Sequence, residues 1–265
     1  MAHSGVEHNR ILITVRTYPV PARKGIEVSC TAGITEQGSW VRLYPVPYRF
    51  MGEDKRFKKY QWIDVDTRRP PSDPRLESRV PDLDSLRISS QPVTTRSNWA
   101  ERKEIVYPLK SPSLCYLRNK RDTTGSPTLG LFKPKVIKRL VIQKDRGDWT
   151  ETELARLRQY SMWETAPHRE LVKIPFKFIY EFTCDEPGCN THRLSCTDWE
   201  MGQSYLSWLR RYGDGWVDAF RNRYEKEMIE QNDTHFYVGT VNNHPSEWII
   251  VGLWYPRIQL QPQLI

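Results

Sequence analysis

Short stretches of β-branched or alternating residues recur along the first 147 residues of the chain. In the stretch 39–47, Val41 and Leu43 alternate with Trp40 and Arg42. This period of two is typical of a strand with one buried face. Predicted strands lie at 11–17, 26–33, 39–47, 61–67, 85–93 and 136–143. Short strands with few helices between them predict a small barrel of the OB or PUA-like kind.

The pattern changes near residue 147. Thr150 and Glu153 form a capping box before an amphipathic helix over 150–163. Four aromatic residues then alternate on one face of a predicted strand, namely Phe176, Phe178, Tyr180 and Phe182. Thr197 and Glu200 predict a second capping box and a helix over 198–211. The remaining predicted elements are a helix at 215–231 and strands at 235–240 and 247–256.

These patterns predict an α+β protein with two domains. The first, over residues 1–147, is a β-rich barrel-like domain, and the second, over 148–265, is an α+β domain with a Cys/His hairpin. The chain has 265 residues, which suits two modest domains. No apolar run is long enough to span a membrane, and MAHSGVEHNR has no apolar core of a signal peptide. We therefore expect a cytoplasmic protein without a membrane partner.

Charge is distributed unevenly between these two predicted domains. The net charge is +8, and residues 1–147 hold 28 Lys and Arg against 15 Asp and Glu, whereas the remainder holds 12 against 17. A basic half beside an acidic half is an asymmetry associated with nucleic-acid binding. It also leaves open that the acidic C-terminal half docks a protein partner.

Two stretches of the basic half interleave cations with aromatic or loop-forming residues, at 42–62 and 117–139. Single-stranded or flipped nucleotides need a cation for the phosphate and an aromatic face for the base. The bland alternative is a solvated basic surface whose aromatic residues turn into the core. The predicted nucleic-acid contacts are Arg42, Tyr44, Tyr48, Arg49, Lys58, Lys59, Trp62, Lys120, Arg121, Lys133 and Lys135.

Cysteine and histidine residues cluster in the segment FTCDEPGCNTHRLSCTDWE, at positions 182–200. Thiolates and imidazoles at short spacings are the usual ligands of zinc. Across a hairpin that turns at DEPG, Cys184 and Cys189 face each other and His192 lies nearby. Cys196 is the doubtful fourth ligand, because a regular strand would carry it about 20 Å away. Asp185, Glu186 or His235 are alternatives, and so are a cluster without metal and a redox role.

A nuclease would need carboxylates grouped to hold a divalent cation. Asp64 and Asp66 share one face of a predicted strand, and Asp198 and Glu200 open a predicted helix. Both pairs are weak catalytic candidates, since alternating Asp suits a polar face and acidic residues suit the first turn of a helix. Asp82 with Glu101 and Lys103 imitates a nuclease motif, but the second part lies in a predicted helix rather than a strand.

Several phrases resemble a group of bacterial hypothetical proteins to which we attach no activity. They are CTAGITEQGSWVRLYPVPYRF, FKKYQWIDVD, FKPK, DWE and FYVGT followed by IIVGLWYP. The resemblance covers most of the chain and implies a bacterial protein, from mobile or defence-associated regions of the genome. It implies no catalytic residues.

The sequence favours a protein that recognises DNA through a single-stranded, flipped or modified base, as part of bacterial genome defence. Zinc is the cofactor that the Cys/His segment suggests. The alternatives are a metal-dependent nuclease that uses the carboxylates named above, and an interaction subunit of a larger complex.

Overall fold

The computed structural model describes residues 5–22, 27–161, 170–242 and 244–259. Its first sheet contains β1 (Glu7–Arg16), β2 (Val20–Pro21), β3 (Glu27–Thr35), β4 (Trp40–Val46), β5 (Trp62–Arg68), β6 (Ser78–Pro81) and β7 (Arg87–Ile88). β1 pairs with β5 through its first half and with β3 through its second half. The sheet therefore closes on itself through five strands.

The strand order around this barrel is β1–β3–β4–β6–β5 and back to β1. All neighbours are antiparallel except β4 and β6. A small closed Greek-key barrel of five strands is the OB architecture, which the sequence predicted as one of two kinds. Ile11, Ile13, Leu43, Ile63 and Val65 are among the side chains that fill its interior.

Two helices follow the barrel: α1 (Arg96–Val106) and α2 (Leu114–Thr124). Ser113 caps α2, because its side chain accepts a hydrogen bond from the backbone N–H of Tyr116. In α1, the first residues Ser97, Asn98 and Trp99 have φ values of 49°, 52° and 67°. Such left-handed backbone is costly for residues other than glycine, so the helix proper starts after a strained turn.

The second sheet contains β8 (Lys110–Ser111), β9 (Leu129–Phe132), β10 (Val136–Lys144), β11 (Phe176–Thr183), β12 (His192–Cys196), β13 (His235–Val241) and β14 (His244–Trp254). Its order is β10–β11–β12–β14–β13–β9–β8. β12 and β14 are parallel, as β4 and β6 are. The order β10–β11–β12–β14–β13 matches the order β1–β3–β4–β6–β5 of the first barrel.

The correspondence extends to the first strand of each barrel. β1 uses its two halves to pair with β5 and β3. In the second sheet β9 pairs with β13 and β10 pairs with β11, with only residues 133–135 between β9 and β10. β9 and β10 together therefore take the place of β1. The chain folds as two units of the same topology, although the sequence has no repeat at a fixed period.

Four helical pieces complete the second unit: α3 (Glu151–Ser161), α4 (Trp199–Tyr212), α5 (Trp216–Arg221) and α6 (Glu227–Glu230). A π-helical segment, Asn222–Lys226, joins α5 to α6. The predicted capping box of α3 is present, because Glu153 N–H donates to Thr150 Oγ1 at 3.2 Å. For α4 the cap is Asp198 rather than Thr197, since Asp198 accepts from the N–H groups of Glu200 and Met201.

Both units share a hydrophobic cluster at their junction. Leu12, Val15, Ala32 and Ile34 come from the outer face of the first barrel, and Leu129, Leu131, Tyr237 and Val251 come from the second. Arg42 adds a polar link, because its guanidinium donates to the Thr128 carbonyl oxygen at 2.9 Å. The two barrels therefore pack against each other through a buried face.

The change from the first sheet to the second falls between β7 and β8. Strands β8, β9 and β10 therefore belong to the second unit, although the predicted first domain, residues 1–147, included them. Divided at residue 109, the first part holds 18 basic and 13 acidic residues and the second holds 22 and 19. With this division neither part has a negative net charge, so the expected acidic C-terminal half is not present. Residues 110–147 alone hold ten basic and two acidic residues, and they belong to the second barrel.

Strand β10 lies at the edge of the second sheet. Leu140 N–H on this edge donates to Glu225 Oε1 at 2.9 Å, and the Leu140 carbonyl oxygen accepts from Arg221 at 3.1 Å. Side chains of the helical layer thus occupy this part of the edge.

No helix in the described part of the chain is long and apolar enough to cross a membrane.

Candidate metal centre and nucleic-acid interface

Four potential metal ligands converge where α2 meets the β11–β12 hairpin. They are Cys115 from the first turn of α2, Cys184 and Cys189 from the hairpin turn, and His192 from the start of β12. Their ligand atoms all lie within 4.8 Å of one another. Three of them were predicted from the sequence, and Cys115 was not. This group could hold a metal ion.

The distances within the centre suit a tetrahedral ion. Cys115 Sγ lies 3.7 Å from Cys189 Sγ, and His192 Nε2 lies 3.3 Å from each of these sulfur atoms. Zinc–sulfur bonds of about 2.3 Å at tetrahedral angles place two sulfur ligands about 3.8 Å apart. The Cys184 N–H also donates to Cys189 Sγ at 3.1 Å. Three thiols and one imidazole form a closed set of the structural type.

Without a cation, the thiols and the imidazole of this largely half-buried centre favour their neutral forms. Burial, together with neighbouring Cys184 and Cys189, raises the pKa of Cys115 to about 12. Burial also raises the pKa of Cys184. Burial and the nearby Arg118 guanidinium lower the pKa of His192, so its ring is neutral. A cation inside the centre would offset the cost of turning these thiols into thiolates.

The other predicted ligands do not belong to this group of four. Cys196 is buried in β12 opposite Phe178 and Ile250, at the far end of the strand from His192. Glu186 accepts a hydrogen bond from Ser113 Oγ at 2.7 Å. Asp185 pairs with Lys135, and His235 is buried in β13. The fourth potential ligand in the group is therefore Cys115, whereas Cys196 lies away from it at the far end of β12.

The predicted catalytic pair Asp198 and Glu200 lies at the junction of the barrels, around Lys59. The Lys59 ammonium lies 3.4 Å from Asp198 Oδ2 and 3.2 Å from Glu200 Oε2. Burial disfavours the lysine charge, but the two carboxylates outweigh it and hold the pKa of Lys59 well above its usual range. Both oxygens of Asp198 also accept backbone N–H groups, at Glu200 and Leu253. Asp198 therefore links Lys59, the start of α4 and strand β14.

The other carboxylate pair lies on the outside of the first barrel. Asp64 and Asp66 point outward from β5 between the buried Ile63, Val65 and Thr67. Asp66 Oδ1 lies 2.8 Å from His8 Nδ1 on the neighbouring strand. Among the described residues, the Cys/His centre is the group of metal-ligating side chains that converges, and this pair is not part of it.

Most of the cations predicted in 42–62 are engaged within the protein. Arg42 is 2% exposed and contacts Ser78 and Thr128, so it cannot reach a ligand. Tyr48 stacks against Arg16, whose guanidinium carbon lies 3.6 Å from the ring centroid. Arg49 pairs with Glu27 at 2.9 Å. Tyr44 and Lys58 are exposed and Trp62 is half-buried.

The cations predicted in 117–139 lie on the surface of the second barrel. Lys120 is exposed on α2, and Arg121 pairs with Asp122. Lys133 and Lys135 are exposed at the bend between β9 and β10. There they line a cleft of about 590 Å³ at the junction, together with Lys103 and Arg257. An adjoining cleft adds Trp99 and Tyr255.

A second basic surface lies on the outer face of β10, β11 and β12. Arg139, Glu181 and Arg193 stand side by side across the three strands. Each arginine donates to a different oxygen of Glu181 at 2.6 Å. The arginine side chains are 62% and 53% exposed, whereas Glu181 is 9% exposed. The strand face therefore presents two fixed guanidinium groups.

Comparison with known families divides the chain at the same place as the two sheets. A family model described as a domain of unknown function, DUF8757, matches residues 110–264. The chain belongs to the DUF8757 family. A second model, the domain of unknown function DUF8758, matches residues 7–108. No curated protein matches the chain.

The DUF8757 region contains the whole second barrel, all four members of the Cys/His centre and the Arg139–Arg193 pair. Sequence reasoning found three of the four metal-ligating residues because they lie within nine positions of one another. Cys115 lies 69 residues before Cys184, and only its position on the first turn of a capped helix could have suggested a role. The arginine pair escaped notice because Glu181 links two strands that the sequence does not align.

Proposed function

We propose that the protein binds single-stranded nucleic acid through its OB-type architecture. The proposed ligand is DNA. The observation that carries this proposal is the repeated barrel topology with one strand face left open and cationic. OB barrels bind oligonucleotides on the face of their second and third strands. In the second barrel those strands are β11 and β12, and the neighbouring strand β10, which pairs with β11, carries Lys138, Arg139 and Lys144.

The arrangement favours binding over cleavage. A metal-dependent nuclease needs carboxylate oxygens free to hold a divalent ion. Both oxygens of Asp198 are engaged with Lys59 and with backbone N–H groups. The proposed role is therefore recognition of a strand, with a cytoplasmic location as its setting.

We also propose that the Cys/His centre binds one zinc ion with a structural role. Three sulfur ligands and one nitrogen ligand complete a tetrahedral shell and leave no position for substrate. The ion would tie the first turn of α2 to the turn between β11 and β12, the two strands of the proposed binding face. Its contribution is to hold the end of that face in register.

Fluorescence anisotropy with labelled oligonucleotides of about twelve nucleotides tests the binding proposal, since OB domains occupy about 4–16 nucleotides. Single-stranded DNA, the same RNA sequence and duplex DNA should be compared across salt concentrations. We expect single strands to bind more tightly than the duplex, with affinity falling steeply as salt rises. Absence of affinity for every strand at low salt would refute the proposal.

Metal analysis of protein purified without a histidine tag tests the zinc proposal. We expect about one zinc per chain, as in a closed structural site. The Cys115→Ser variant should lose the metal, and Cys30→Ser, a thiol outside the centre, should retain it. Native protein without bound zinc after zinc supplementation, or full zinc content in Cys115→Ser, would contradict the proposed ligand set.

A further inference from the structure

Three equivalent strands have different outer faces in the two barrels. In the first barrel the outer face of β1, β3 and β4 is apolar and lies in the junction core. Its residues are Leu12, Val15, Ala32 and Ile34. Arg42 lies on this same outer face beside Ala32, and it is also buried against the second barrel. The face on which an OB barrel binds its ligand is therefore used here to hold the second barrel.

The equivalent face of the second barrel is open. β10, β11 and β12 correspond to the second half of β1, to β3 and to β4. The outward residues here include Arg139, Lys177 and Arg193, each with more than half of its side chain exposed. The same position in the topology thus carries an apolar docking surface in one barrel and a cationic surface in the other.

The arrangement of side chains on this face suits a strand of nucleic acid. Arg139 and Arg193 are fixed by Glu181 in one row across the sheet. Two residues further along β11 the row contains Val141, Ile179 and Ser195, all half-buried. Next comes Lys177, paired in register with Gln143. Cations on either side of a small apolar strip offer phosphate contacts beside a surface for unstacked bases.

We propose that the Arg139–Arg193 face, defined by Arg139, Val141, Lys177, Ile179 and Arg193, is the site where the single strand binds. This inference rests on the proposed function and deepens it. The two arginines and Lys177 contact phosphates, and Val141 and Ile179 lie under the bases. The site belongs to the second barrel, to which the predicted contacts Lys120, Arg121, Lys133 and Lys135 also belong, whereas the other predicted contacts lie in the first.

The alternative surface is the cleft between the barrels, which carries Lys103, Lys133 and Arg257. It supplies a matched control, because two cations can be removed from either surface. The test compares Arg139→Gln/Arg193→Gln with Lys103→Gln/Lys133→Gln in the full-length protein. Anisotropy titrations with a single strand of about twelve nucleotides at several salt concentrations give affinity and salt slope for each.

Loss of the two arginines should weaken binding at least tenfold and reduce the slope of log affinity against log salt by about 1.4, or about 0.7 for each phosphate contact on a single strand. Loss of the two lysines should change affinity by less than about twofold, as expected when no phosphate contact is removed. Arg139→Lys/Arg193→Lys keeps the charge and should retain the native slope.

Lys177→Gln keeps the test decisive if the double arginine variant does not fold. Its side chain is exposed, and its loss should reduce the salt slope by about 0.7. The reverse pattern, in which only the cleft variant loses affinity, would overturn this inference and leave the proposed function standing. Absence of binding by the native protein at low salt would remove both.

Discussion

The Lys59 ammonium lies 3.4 Å from Asp198 Oδ2, and the two side chains are 10% and 2% exposed. Lys59 follows a short 3-10 helix of the first barrel (Glu53–Lys55), and Asp198 caps α4 of the second unit. The contact therefore joins the two barrels through a buried ion pair. Because the capped helix begins at Asp198, the pair also connects the junction to the helical layer.

Removal of Lys59 should destabilise the whole protein. Lys59→Met leaves Asp198 buried without its cation, and loss of one partner from a buried pair costs about 3–5 kcal/mol. Urea unfolding followed by tryptophan fluorescence measures this change. The neighbouring exposed Lys58→Met should shift the unfolding free energy by less than about 0.5 kcal/mol. Unchanged stability with lost nucleic-acid affinity in Lys59→Met would instead make Lys59 a ligand contact.

Chelation should lower thermal stability if the Cys/His centre holds zinc. A ligand present at a thousandfold excess over its dissociation constant stabilises the folded state by about 4 kcal/mol. For a chain of this size, that corresponds to a fall of roughly 10 °C in Tm when the metal is removed. Thermal melts of the native protein with and without a chelator provide the measurement. Cys115→Ser should melt at one temperature in both buffers.

Glu27 should make stability depend on pH in an unusual direction. Its carboxyl is 2% exposed, and burial raises its pKa to about 7 despite the ion pair with Arg49. A raised pKa means that the folded state holds the proton more tightly than the unfolded state does. The stabilising contribution is therefore complete below the unfolded pKa of about 4.5 and is lost as pH rises through about 7.

The variant Glu27→Gln isolates this contribution. Its unfolding free energy relative to the native protein should increase between pH 4.5 and 7, by at most about 3 kcal/mol, and level off above that range. The comparison must be made between the two proteins, because buried His235, whose pKa burial lowers to about 4, acts oppositely over almost the same interval. A constant difference between native and variant protein across pH would contradict the assignment.

The left-handed start of α1 should be relieved by glycine. Ser97 is exposed and has a φ of 49°, which costs an L-residue about 1–2 kcal/mol. Ser97→Gly should therefore stabilise the protein by up to about 1 kcal/mol, since glycine loses part of that gain to its greater freedom when unfolded. Chemical denaturation with Ser97→Ala as the control measures it. A less stable Ser97→Gly protein would show that this turn carries no strain.

Local features of the fold were predictable from the sequence, and long-range ones were not. The capping box of Thr150 and Glu153 and the helix that starts near residue 198 depend on neighbouring residues, and both are present. Glu200 was read as half of a capping box with Thr197, but the Asp198 side chain lies closer to the free N–H groups. Competition between adjacent capping residues is not resolved by spacing alone.

The positions that matter for the candidate sites depend on contacts between distant segments. The alternation in β4 correctly placed Arg42 on the outer face of the barrel. The neighbouring residues did not indicate that the second barrel covers this face. Cys115 joins the Cys/His centre because the second sheet brings α2 onto the β11–β12 turn. The division of charge at residue 147 did not match the two units for the same reason, since strands of the second sheet begin before that residue.

The bonds at Leu140 have a consequence for how these molecules meet one another. Strand β10 ends its sheet, and an uncovered edge of this kind is a template for a strand from another molecule. Glu225 and Arg221 already occupy the N–H and carbonyl groups of Leu140. A neighbouring copy would have to break both bonds before it could extend the sheet. Arg221 at the end of α5 and Glu225 in the π-helical segment thus protect this part of the edge against edge-to-edge aggregation.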